Sequence, residues 1–316
     1  MRDKFEMFDE LPVDLELEIA QNLSSRDLVN LAQTSKYHLA LFKPMVDVSK
    51  LLHHVAHGKH DAVQLILTDN ISLIFKRGKV TDCSGREFEN ISGFEYALWA
   101  MDKHMWAKMI ACIPENKEGR KVFAQLIAQY NKVNTDGVTY RLNGKTITEQ
   151  HFDFENTIIK ELQTQVGLIN APGYKDWGAI DTQWQEGVGG AQKRLPMHIV
   201  DEYCSNEPFH PLPKFTSQPK SSKKFYNWIT NKGEDWFNVD SKLGFRFAIY
   251  KGAALAPTPA PVWGQRGAHR ARGVGAGIDL AAVKALCEVR TLDLINLKSQ
   301  LDERASLDHH HQVVPM

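Results

Sequence analysis

Cysteine is scarce in this chain. Cys83, Cys112, Cys204 and Cys287 are the four in 316 residues, and no two are spaced as Cys-x-x-Cys. That excludes a zinc knuckle or a disulfide framework and makes reduced thiols the expected state. Net charge is missing too, since 38 Lys and Arg balance 38 Asp and Glu. No long-range field of one sign then draws the chain to nucleic acid or to an anionic membrane. No run of 18 apolar residues occurs, so no helical membrane span is expected. The opening residues Met1 to Glu6 are charged and lack the apolar core of a secretory signal. These absences predict a soluble, intracellular-type protein. At roughly 100–200 residues per domain, the length suggests two or three compact units.

The sharpest positive signal lies near the N-terminus. Pro12 suits the first turn of a helix, where its missing N–H would be unpaired anyway. Leu15, Ile19 and Leu23 recur at four-residue steps and make one apolar stripe, leaving Asp14, Glu16 and Glu18 free to face water. Ser24 with Asp27 three residues on predicts the cap of a second helix, whose apolar face is Leu28, Leu31 and Ala32. Thr34 or Ser35 opens a third, through Tyr37, Leu39 and Phe42, stopped before Pro44. Three short helices bury too little surface to be comfortable alone, so this unit is expected to lean on a neighbour or a partner.

These residues resemble an F-box. Leu11-Pro12, the Ile19-to-Leu23 step, Asp27-Leu28 and Ser35-Lys36 match that family's pattern, with Tyr37 in place of its usual aromatic. F-box segments dock on the Skp-type linker subunit of Skp–cullin–F-box ubiquitin ligases. The resemblance therefore implies that Leu11, Pro12, Leu15, Ile19, Leu23, Leu28 and Leu31 are the docking or core-forming set. The plainer account of the same pattern is an ordinary amphipathic helical hairpin at the start of a domain.

From Leu51 to Leu67 the pattern reads as two helices joined near Gly58, and a related pattern returns from Phe94 to Ile110. The copies lie about 43 positions apart, longer than the 33 of ankyrin repeats. The reading is two degenerate ankyrin-like helical pairs with an insertion between them, and Ser84-Gly85-Arg86 as a turn before the second. His53, His54, His57 and His60 invite a metal reading, His53 and His57 being an i, i+4 pair, but no HExxH glutamate accompanies them. Hydrogen bonding near helix turns is the favoured role. Trp99 and Trp106, seven apart on one helical face, are read as core. The F-box pattern, followed by Gly58-x-His60-Asp61-Ala62-Val63, Val80 through Arg86 and Tyr96 through Trp106, resembles secreted effectors of Legionella and Coxiella. Those bacteria deliver effectors to the host cytosol through a type IV system. The resemblance covers residues 1–125 and extends more weakly to 184–203.

Farther along, Val138–Leu142 and Lys145–Thr148 flank Asn143-Gly144, the strongest short hairpin signal. Phe154, Ile158, Ile159, Leu162 and Val166 predict a helix ending near Gly167. A second strand pair is expected from Phe245–Tyr250 and Pro261–Trp263. The stretch 205–224 reads as a surface loop, and a last helix runs from an Asp279 N-cap to Leu301. Two constellations bear on chemistry. If 197–204 is helical, His198 and Glu202 sit one turn apart and can orient one another, with Cys204 as a nucleophile activated by a histidine. The competing reading is a buried polar clamp under the Gly189-Gly190 turn. The glycine-rich run from Gly264 to Gly277 carries Arg266, Arg270 and Arg272 and feeds a helix, as a phosphate cradle does. It lacks a P-loop Lys-Ser/Thr, so a basic surface loop is preferred.

The expected fold is mainly α, divided as 9–47 for the F-box, 48–130 for ankyrin-like helical pairs, 131–303 for an α+β domain with small β-hairpins, and 304–316 for a flexible tail. The implied function is that of a bacterial effector and F-box adaptor, secreted into the host cytoplasm and holding an unidentified host target near a cullin–RING ligase. No catalytic residue is then required of this chain, and no cofactor, metal or nucleic acid is expected. The alternatives are a C-terminal domain that is itself an enzyme, and a host-protein binder independent of ubiquitin.

Overall fold

Side-chain caps open several of the helices. In the computed structural model, which describes residues 8, 11–252 and 266–306, Pro12 leads directly into α1 (Val13–Gln21). The Ser24 hydroxyl accepts from the Asp27 N–H at 3.2 Å to start α2 (Ser25–Ala32). Ser35 accepts from the His38 N–H at 3.0 Å to start α3 (Lys36–Ala56). Each such cap satisfies a backbone donor that the helix itself leaves unpaired.

The predicted stop before Pro44 does not occur. Proline inside a helix removes one hydrogen bond and ordinarily breaks it, yet α3 continues for three more turns. Both flanks of Pro44 are anchored: Phe42 lies in a small N-terminal core, and Val48, Leu51, Leu52 and Val55 lie in the main one. The third helix of the N-terminal unit and the first helix of the following pair are therefore one element.

Next come α4 (His60–Asp69), a 3-10 turn at Ile71–Phe75, and a β-hairpin of β1 (Arg77–Thr81) and β2 (Glu87–Ser92). A reciprocal capping box of Ser92 and Glu95 opens α5 (Gly93–Ala100), which is followed by α6 (Lys103–Ala111) and α7 (Lys117–Asp136). The two expected helical pairs form, α3 with α4 and α5 with α6, and they stack with α4 on α6 and α3 on α5. What separates them is the β1–β2 hairpin. The Asn143-Gly144 turn joins β3 (Val138–Leu142) to β4 (Lys145–Glu149) as predicted, both turn residues having positive φ. The four strands form one antiparallel sheet in sequence order.

A π-turn at Glu155–Ile159 leads into α8 (Lys160–Asn170), which runs past Gly167. α9 (Trp177–Thr182), a second π-turn at Gln183–Val188 and α10 (Gly189–Gln192) are continuous, and α11 (Met197–Tyr203) follows. The segment 205–224 contains an isolated Ser205–Ser221 bridge but no helix. A second sheet has the order β6-β5-β8-β7, from β5 (Lys224–Asn227), β6 (Lys232–Asp235), β7 (Ala248–Tyr250) and β8 (Arg266–Ala268). The expected partner of 245–250, Pro261–Trp263, lies outside the described residues; β7 pairs with β8.

The last helix, α12 (Gly275–Ser306), begins before the predicted Asp279 cap. Asp279 sits inside it, fully buried, and its carboxylate accepts from the backbone N–H groups of Lys251 and Gly252 at 2.8–3.1 Å. It ties the end of β7 to α12. The fold is mainly helical with a smaller β component. The expected division points at 47/48 and 130/131 fall inside α3 and α7; residues 304–306 of the expected 304–316 tail belong to α12, and the rest of it lies outside the described residues.

Candidate functional site

Two places on the molecule hold the side chains singled out by sequence. The first is α11, all of whose residues are buried. The turn Asp82–Arg86 helps to seat it. Asp82 accepts from the Ser84 and Arg86 N–H groups, Ser84 Oγ donates to the Leu195 carbonyl at 3.1 Å, and Arg86 donates to the Arg194 carbonyl at 2.6 Å. The Arg86 guanidinium itself is buried beside Asp82 and over the rings of Trp99, Tyr140 and Phe152 at 5.2–5.5 Å. The Asp-Cys-Ser-Gly-Arg stretch thus holds the entry to α11. Trp99 and Trp106 are core residues, as expected.

His198 and Glu202 do lie one turn apart, but the structure does not join them. Glu202 Oε1 takes Arg290 Nη2 at 3.3 Å, while neither ring nitrogen of His198 has a hydrogen-bond partner among the described residues. Burial drives the His198 ring down to about 3, with Asp102 opposing. Burial also raises the Glu202 carboxyl to about 7 against the pull of Arg290. Cys204 is buried and its thiol is pushed well above the ordinary range by desolvation. A nucleophilic cysteine needs the reverse, an electropositive and partly exposed setting that favours thiolate. The dyad and the nucleophile expected from spacing are therefore not assembled.

What surrounds α11 is a buried charge knot that sequence reasoning missed. Arg290, wholly buried in α12, donates to the Phe215 carbonyl, Asp293, His104 and Glu202 at 2.9–3.3 Å. Asp102 caps α6 by accepting from the Met105 N–H at 3.0 Å and faces His60 Nε2 at 3.8 Å. Gln218 donates to His60 Nδ1 at 3.0 Å, which leaves the proton on Nε2, toward Asp102. Burial works to lower His60, but Asp102 outweighs it and the net shift is upward. Burial works to raise Asp102, yet His60 and its neighbours hold the carboxyl far below its ordinary range. Lys251 donates to the Glu202 carbonyl and to Ser205 Oγ, and burial lowers its amine to about 8. Arg290 thus ties α11 to α12, and Lys251 ties it to the end of β7.

Two weaker constellations dissolve. Arg270 and Arg272 both pair with Asp181, at 3.1 and 2.5 Å, and Arg272 lies over the Trp177 ring. Both guanidinium groups thus share the Asp181 carboxylate. His53 and His57 stack at 3.9 Å between ring centroids, and burial with neighbouring cations lowers His53 to about 4. No group of three or more metal-ligating side chains occurs among the described residues.

The second place is the N-terminal unit, where the expected docking set splits in two. Leu28 and Leu31 are buried with Ala20, Ala32 and Phe42 in a small core separate from the main one. Leu11 and Leu23 are half-buried and Pro12 is exposed. Leu15 and Ile19 face outward at 45% and 41% exposure. Glu16, expected in water, is buried instead, and the Tyr37 hydroxyl donates to it at 3.0 Å. The apolar stripe of α1 points away from its own core. Val13, Tyr37 and Leu39 are exposed on the same unit.

Comparison with known proteins places these features in a lineage. Residues 157–301 match the family described as the CBUA0006 C-terminal domain. The uncharacterised protein CBUA0006 of Coxiella burnetii (strain RSA 493 / Nine Mile phase I) is 37% identical over 269 residues, covering 79% of this chain and 74% of that protein. The chain belongs to the CBUA0006 family. No solved structure matches it. The region matched as the CBUA0006 C-terminal domain runs from the first π-turn to near the end of α12, and it contains α11, the second sheet, Lys251, Asp279 and Arg290. His60, Asp102 and His104 reach the same knot from outside that region.

Proposed function

We propose that this chain is a substrate-recruiting adaptor. Its N-terminal three-helix unit docks on a host Skp-type linker of a Skp–cullin–F-box ubiquitin ligase, and the body beyond α3 holds the protein to be modified. The chain acts as a bacterial effector in the host cytoplasm. Catalysis belongs to the recruited conjugating enzyme, and the adaptor supplies proximity and orientation. The observation that carries this reading is the outward apolar face of α1. Leu15 and Ile19 lie one turn apart and exposed, on a unit with an F-box pattern. A separate small core already satisfies its inward face. Solvent-facing leucine and isoleucine at helical spacing are the anchors that a groove on a partner takes up.

Co-purification of the full chain with the Skp-type linker tests the reading, wild type beside Leu15→Ala/Ile19→Ala. Truncating buried interface anchors typically costs about 2 kcal/mol or more, roughly thirtyfold in affinity. A stoichiometric complex that the double variant loses, while keeping its circular dichroism, is the expected result. Failure of the wild-type chain to form the complex overturns the reading.

A further inference from the structure

The first sheet ends at β1, which pairs with β2 on one side only. Among the described residues, backbone atoms of 77–81 make no hydrogen bond other than those to β2. A row of unpaired N–H and C=O groups is a template for another extended backbone. A groove of about 1160 Å³ lies beside β1, lined also by residues of α2 and of α3, which packs on β1 with Val48 and Leu52 against Gly78. Leu23, Met45 and Val80 give it apolar lining.

Its charged lining is unbalanced. Lys43, Lys76, Arg77 and Lys79 stand against Asp47 and Glu89 alone. Arg77 is committed to the buried Glu95. Lys43 and Lys79 are held only by exposed pairs with Asp47 at 2.6 Å and Glu89 at 3.3 Å. Exposed ion pairs contribute little and exchange readily for another carboxylate. Lys76 is exposed, its ammonium 5.9 Å from the Phe75 ring centroid.

We propose that this groove binds an extended acidic segment of a partner protein, which adds to β1 as a fifth strand of the sheet. The bulge between Gly78 and Val80 and the exposed Lys79 deter indiscriminate edge-to-edge pairing. A strand bearing carboxylates meets Lys79 as a counter-ion. Main-chain bonds supply affinity in this mode, and alternate side chains supply selectivity. The five residues of β1 offer about 17 Å of edge at ~3.3 Å per residue.

The experiment pans a phage-displayed library of random dodecapeptides against the full-length chain. Selected sequences should be rich in Asp and Glu and free of central proline. A synthetic peptide from the selection should slow amide exchange across 77–81 and lose at least tenfold in affinity to Lys76→Glu/Lys79→Glu. The milder Lys76→Gln/Lys79→Gln variant should show a smaller loss, which separates lost attraction from misfolding. Leu15→Ala/Ile19→Ala should bind the peptide as wild type does, because the groove does not depend on the proposed linker-docking face. An empty or neutral selection, equal binding to the charge variants, or unchanged exchange at 77–81 overturns the proposal.

Discussion

Arg290 is the residue with the most at stake. It is wholly buried and serves four acceptors at once. Removing one member of a buried ion pair typically costs about 3–5 kcal/mol, because the other charge is left uncompensated. Arg290→Ala is therefore expected to lower the urea midpoint by an amount in that range, while Lys103→Ala, at a half-exposed pair with Asp293, should cost far less. Asp279 carries a pH signature. Burial raises its carboxyl to about 7 from 3.8, so the folded state favours the protonated form. That contribution to stability is complete below about pH 4 and is lost as the pH rises through 7. Asp279→Asn removes the titration. Relative to wild type, the variant should gain stability between pH 4 and pH 8 in paired urea titrations. An offset identical at both pH values would show that Asp279 does not titrate in this way. His198, lowered by burial, acts in the opposite sense, its contribution being lost as the pH falls through 6.5 toward 3.

Among the elements, α3 and α7 each contain a test of how tertiary contacts override or enforce local preference. Pro44 lies exposed within α3, where its ring denies the helix a hydrogen bond. Pro44→Ala should raise the melting temperature, with a gain of about 1–3 kcal/mol set against the helix-interior cost of proline. An unchanged or lower value would mean that the proline is adding more by restraining the unfolded chain. In the first turn of α7, Gly119 leaves no room for a side chain, since a Cβ there would meet the Pro114 carbonyl oxygen at 1.8 Å. Gly119→Ala must displace backbone, and a loss of about 1–3 kcal/mol is expected for such overpacking, measurable by chemical denaturation. Helix starts were legible because a cap is a local event involving residues three apart. The β1–β2 hairpin was not, because its strands are short, polar on one face and recognisable mainly by the sheet they complete with β3 and β4.

At the scale of the whole molecule, the two cores are unequal. Among the described residues, the main cluster runs from Val48 to Leu301, whereas the N-terminal one has five buried residues. Small cores retain little stability of their own, so the amides of α1 and α2 should exchange with deuterium orders of magnitude faster than those of α5. Equal protection would show that the N-terminal unit unfolds only with the body. The continuous α3 joins the two, which fixes the orientation of the outward face of α1 relative to the sheet. The expected boundary at 47/48 falls within α3. Pro44 marks a local break, but α3 runs through it because its two halves are anchored in packed cores.

The sequence by itself determined where the first three helices begin, the Asn143-Gly144 hairpin, the core role of Trp99 and Trp106, and a mainly helical fold. Those follow from periodicity, caps and turn chemistry, which act over a few residues. Only the tertiary structure decided that Leu15 and Ile19 face out while Glu16 faces in, because a helical stripe has a direction only once the neighbouring helices are placed. It alone separated His198 from Glu202 as a working pair and gave Glu202 to Arg290, 88 residues farther along. Burial and long-range pairing set the state of those groups, and neither is a property of spacing along the chain.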